Sequence, residues 1–118
     1  MIRKELVAAS AEPLILALLS ESESYGYAIL QAIKNRSNGQ LQWTDGMLYP
    51  LLHRLERNGY VQAVWGKSET GRRRKYYQLT REGAEQLVRQ RREWHTVDLA
   101  LRSVTKAKSE TDSGEVKP

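Results

Sequence analysis

Cysteine is absent from the 118-residue chain, which excludes disulfides, thiolate metal sites and cysteine nucleophiles. Long apolar runs are missing too. Glu12 and Pro13 precede Leu14–Leu19 and Ser20–Ser24 follow it, so nothing approaches the roughly 18 apolar residues of a membrane span. The opening MIRKEL has no apolar stretch ending in a small-residue cleavage site; with the lack of cysteine, this leads us to expect a cytoplasmic protein without a membrane partner. Histidine is scarce. His53 and His95 fall on separate expected helices without metal-ligand spacing, so no metal site is expected. Gly66-Lys67-Ser68 has the ending of a phosphate-binding loop, but Val61 stands where that loop needs glycine. With no nucleophile–base set either, neither an enzyme nor a cofactor is expected.

What is present is positive charge, and it is concentrated. The net charge is +5. Between Lys67 and Lys75, five cations (Lys67, Arg72, Arg73, Arg74, Lys75) face Glu69 alone, leaving the rest of the chain nearly neutral. A charge run is commonly a solvated face, but this concentration within one glycine-containing turn favours an acidic partner.

The apolar pattern orders the elements. Lys4–Ser20 reads as a helix buried on much of its circumference, kinked or restarted near Glu12 by Pro13. Ser22–Ser24 offer N-caps for a second helix, Tyr25–Arg36, with Tyr27, Ile29, Leu30 and Ile33 as its repeat and Asn38-Gly39 as its stop. Thr44 caps a third, in which Leu48, Leu51, Leu52 and Leu55 form the buried face and Gly59 the left-handed stop; Pro50 is placed in or near its first turn. Tyr60–Trp65 and Lys75–Leu79 read as strands of a hairpin with GKSETGRRR at its exposed basic tip. Trp43 and Trp65 are expected to be packing residues. Thr80 caps a last helix reaching about Val104, and Lys106–Pro118, nearly devoid of large apolar residues, is expected to be a disordered tail.

Three helices, a hairpin and a further helix make a mainly α fold with a small β-hairpin: a winged helix-turn-helix domain over residues 1–80, a C-terminal dimerisation helix over 81–105 and a tail over 106–118. In such a module the third helix enters the DNA major groove, and the wing arginines pair with phosphates or enter the minor groove. Leu87, Trp94 and Leu101 recur every seven residues, with Val97 and Val104 in an interleaved phase that also carries Gln90. This predicts a seam against a partner helix, with Leu87, Val88, Trp94, Val97, Leu101 and Val104 at the homodimer interface; packing on the chain's own first helix is the other reading of that stripe.

The run Leu14–Leu19, Tyr25-Gly26-Tyr27, the segment GMLYPLLHRLERNG over 46–59 and GRRRKYYQLT over 71–80 together resemble the PadR-type transcriptional regulators, across about residues 6–105. The resemblance implies a homodimeric regulator, commonly a repressor, that releases a DNA operator on a signal. The DNA-contacting set is then Tyr25, Thr44, Gly46, Met47, Tyr49, Pro50, His53, Arg54, Arg72, Arg73, Arg74 and Lys75, on a pseudo-palindromic operator with half-sites about one or two turns apart. Trp94-His95-Thr96-Val97-Asp98 further resembles the short, LmrR-like branch, which is multidrug-responsive. That likeness implies a planar aromatic effector held between paired Trp94 rings with Val97 and Asp98, against Leu6, Ala9, Glu12 and Pro13 of the first helix. Trp94 as plain dimer core is the competing reading, and a winged-helix protein-interaction adaptor without DNA binding is the competing function.

Overall fold

A computed structural model describes residues 1–113. The order is α1 (Lys4–Glu21), α2 (Gly26–Arg36), α3 (Asp45–Arg57), β1 (Val61–Lys67), β2 (Arg73–Leu79) and α4 (Arg81–Ser113). This is the mainly helical winged helix-turn-helix arrangement that the hydrophobic pattern predicts. Two compact units divide the chain, Met1–Leu87 and Val88–Pro118.

The core of the first unit follows from apolar spacing. Ala11, Ile15, Leu16 and Leu19 of α1 meet Ile29 and Ile33 of α2 and Leu48, Leu51, Leu52 and Leu55 of α3, with Val61 and Tyr77 closing it from the hairpin. Each fully buried leucine or isoleucine contributes roughly 1.5–3 kcal/mol relative to exposure. The α1 stripe lies on both sides of Pro13, and burial holds the helix unbroken through it, so α1 does not restart near Glu12. Pro50 is similarly accommodated. It is the sixth residue of α3, past the first turn, and the carbonyl its ring must clear belongs to exposed Gly46, which is free to bond water.

The caps are partly as expected. Thr44 Oγ1 accepts the Met47 N–H at 3.3 Å, and Thr80 Oγ1 accepts that of Gly83 at 3.0 Å. Gly59, at φ +79°, ends α3 in a Schellman turn, in which Tyr60 N–H donates to Leu55 C=O at 2.9 Å and Gly59 N–H to Glu56 C=O at 3.0 Å. The start of α2 differs from expectation. Its N-cap is Tyr25, without a side-chain cap bond, because Ser24 is occupied elsewhere: its N–H and C=O pair with those of Tyr77 at 3.1 and 2.7 Å. The α1 and α2 ends are joined by a two-armed Arg36–Glu21 pair at 2.6 and 2.8 Å, which draws the Glu21 carboxyl below its ordinary value.

The strands pair antiparallel from Val61↔Leu79 to Lys67↔Arg73, longer than expected. Gly66, Lys67, Arg73 and Arg74 therefore belong to the ladder, and of the cations in the expected tip only Arg72 lies in the turn. Gly71, at φ +83°, makes that turn. At the other end, a Cβ on Gly83 would overlap the Tyr60 carbonyl, so α4 begins against the hairpin base only because this residue has no side chain. Helix α4 continues through Ser113, beyond the expected end near Val104 and into the segment read as a tail; residues 114–118 lie outside the described residues. Its charged and helix-compatible composition allows continuation where the absence of apolar residues suggested an end.

Candidate nucleic-acid interface

Helix α3 buries its four leucines and leaves Tyr49, Pro50, His53, Arg54 and Arg57 exposed, together with Thr44, Asp45 and Gly46 at its positive N-terminal end. Met47 departs from the expected reading face: it is half-buried and packs on the core. Two exposed residues are held by neighbours. The Tyr49 ring lies on Gly26, where any Cβ would overlap its hydroxyl, so the first residue of α2 must be glycine for Tyr49 to lie there. Arg54 Nη2 stands 3.5 Å from Glu12 Oε1 of α1, with side chains 54% and 17% exposed, and Glu12 also accepts from Gln86 Nε2 at 3.3 Å. This pair joins a residue expected at DNA to one expected at an effector.

Strand alternation sorts the wing cations onto two faces. Arg74 is half-buried on one face. Its guanidinium lies 3.8 Å from the Tyr25 ring centroid and 5.9 Å from that of Tyr76, and the two rings meet edge to face at 5.6 Å. Arg74 thus fastens the wing to the residue that opens α2. On the other face Arg73 lies 4.3 Å over Trp65, and Lys75 approaches the Tyr77 ring at 5.6 Å. Trp65 corrects its expected packing role, being 59% exposed, whereas Trp43 is a core residue at 8%. Arg72 and Arg73 are exposed, Lys75 half-buried and Tyr25 half-buried.

Residues 15–89 match the transcriptional regulator PadR-like family. The chain belongs to that family. It is 35% identical to an uncharacterised protein of Lysinibacillus sphaericus over 82% of this chain and 89% of that one. Among solved structures it resembles a transcriptional regulator from Clostridium thermocellum, with TM-score 0.79, 31% identity and coverage of 87% and 97%. It also resembles a PadR-like regulator from Bacillus cereus, with TM-score 0.78, 26% identity and coverage of 86% and 97%. This PadR-like chain is accordingly a DNA-binding transcriptional regulator, and the surface just described is the candidate for that contact.

One further cation of this PadR-like chain joins the surface. Lys67, a member of the charge run outside the expected DNA-contacting set, stands opposite Arg73 in the ladder and shares its face. Tyr27, expected in the buried repeat of α2, is instead 66% exposed.

The expected effector and dimer residues divide between the two units. In the first, Leu6 and Ala9 are exposed on α1, Pro13 is half-buried, and Glu12 is held by Arg54 and Gln86. Leu87 is 6% exposed within the core that contains Ala11 and Ile15, so it packs in its own domain and is not part of an exposed seam. In the second unit Val88, Trp94, Val97, Leu101 and Val104 are all exposed. Asp98 is paired one turn along with Arg102 at 2.7 Å, so a cationic ligand would compete with that guanidinium. Among the described residues, no helix is long and apolar enough to cross a membrane.

Proposed function

We propose that this PadR-like regulator is a homodimeric, ligand-responsive repressor of a gene for multidrug efflux or for the response to aromatic compounds. Two copies of α3 enter successive major grooves of a pseudo-palindromic operator, and Arg72, Arg73 and Lys75 hold the flanking backbone. The observation that carries this reading is the exposed apolar row on α4. Trp94, Val97, Leu101 and Val104 fall on one side of α4 as an unburied apolar stripe, which suits association with a second copy; Val88, also exposed, lies off that stripe. A planar aromatic effector fits between paired Trp94 rings and releases DNA only by binding the DNA-incompetent arrangement more tightly.

Two measurements test the reading. Sedimentation should give a dimer, reduced to monomer by Leu101→Glu. A mobility shift on the DNA upstream of the gene should be saturable and relieved by aromatic cations or phenolic acids, with Trp94 fluorescence quenched in parallel. Equal quenching of wild type and Trp94→Ala sinks the effector site, and a monomer without saturable DNA binding sinks the repressor and favours an adaptor.

A further inference from the structure

The wing contains two arginine–aromatic stacks of the same chemistry but opposite orientation. The Arg74 stack faces inward against Tyr25 and fastens the wing. The Arg73 stack lies on the opposite face, the one whose base carries buried Val61 and Tyr77, but nearer the tip and past the core, on an indole that is 59% exposed. The register sets Trp65 opposite Lys75 and Lys67 opposite Arg73, so strand alternation gathers Lys67, Trp65, Arg73 and Lys75 on one face around the ring. Burial does not account for the indole, since it contributes nothing to the core that Trp43 joins. Among the described residues no carboxylate forms an ion pair with Arg73, so its charge is not consumed within the chain.

We propose that Trp65 is a positioning residue of the nucleic-acid interface, holding the Arg73 guanidinium ready for a backbone phosphate of duplex DNA. The inference rests on the wing being a DNA contact. Stacking uses the flat face of the guanidinium and leaves the N–H donors on its rim available, so the same group sits on the ring and reaches a phosphate edge-on. A long, freely rotating arginine must be ordered when DNA binds; one already resting on an indole has lost part of that freedom beforehand. Trp65 adds no charge of its own. Its contribution therefore appears in affinity and not in the number of phosphates neutralised.

That separation defines the test, a double-mutant cycle read by fluorescence anisotropy on a duplex from upstream of the gene, across a salt series. Trp65→Ala is expected to weaken binding about three- to tenfold per dimer with an unchanged salt slope. Arg73→Ala lowers the slope by about one phosphate per wing. In the Arg73→Ala background Trp65→Ala should change little, and with Arg73 present Trp65→Phe, which keeps a ring, should retain part of the affinity that Trp65→Ala loses. Equal losses from Trp65→Ala with and without Arg73 overturn the proposal, as does a fall in slope from Trp65→Ala alone. Should Trp65→Ala lose its helical circular dichroism signal, Trp65→Phe against Trp65→Leu decides: equal binding by the two overturns the role of the ring. Wild-type protein that shows no salt-dependent binding to the duplex overturns the DNA reading itself and the proposal with it.

Discussion

Helix α3 and the wing both present cations to solvent, but α3 is held by what it buries and the wing by what stacks on its surface. Leu48, Leu51, Leu52 and Leu55 leave α3 little freedom, and its exposed residues are further committed, Tyr49 to Gly26 and Arg54 to Glu12. The hairpin buries only Val61 and Tyr77 at its base; towards the tip its order comes from Arg73 on Trp65 and Arg74 on Tyr25. Reading base edges demands a fixed element, because a bidentate contact fails with small displacements. Gripping phosphate tolerates more movement, and charge that is lightly held suits it.

Damage to the two elements should therefore differ in kind. The largest effect is expected from Leu52→Ala, which removes a fully buried side chain and should lower unfolding free energy by about 2–5 kcal/mol, with specific DNA binding lost in step; denaturant melts and mobility shifts check both. Gly26→Ala comes next. It should cost about 1–3 kcal/mol at most by displacing the Tyr49 ring, yet weaken specific binding more than non-specific binding, and an equal loss of both would erase the distinction drawn for α3. Arg72→Ala should leave the melting temperature unchanged, weaken binding to all duplexes alike and lower the salt slope by about one per wing. Glu12→Gln keeps an acceptor for Gln86 but frees Arg54 from its carboxylate, so DNA binding at low salt should tighten by about two- to fivefold; weaker binding would mean that the pair positions Arg54 instead of restraining it.

The smallest effect concerns alkaline pH. Burial, with Glu56 and Tyr49 adding to it, pushes the Tyr77 hydroxyl above its ordinary value near 10. The folded state thus favours the neutral phenol. Its contribution is complete below about pH 10 and is lost as pH rises through the folded value. Tyr77→Phe should flatten that alkaline decline in thermal melts without altering behaviour near neutrality.

Local signals in the sequence were the readable ones. The leucine spacing of α3, Thr44 as its cap, Gly59 as its stop and the charge run of the wing each depend on neighbours within a few residues. What escaped depends on partners far along the chain. Nothing adjacent to Ser24 announces pairing with Tyr77, and with that pairing the N-cap falls to Tyr25 and α2 starts at Gly26. The exposure of Trp65 depends on where the core ends: it shares a face with buried Val61 and Tyr77, but the hairpin runs past the helices to Lys67↔Arg73, and alternation alone does not say how far the helices reach. Leu87 fits the seven-residue seam in phase yet lies in the core, because period alone does not say which of two surfaces a stripe meets.

The two backbone bonds between Ser24 and Tyr77 also have a mechanical consequence. They make the approach to α2 a short third rung of the hairpin, so the wing and the helix-turn-helix are geared to one another. A signal that tilts β2 cannot leave the entry to α2 behind. Because Tyr49 of α3 rests on Gly26 just past that entry, displacement of the wing would be passed through α2 to α3, and the two exposed surfaces would shift together and not one at a time.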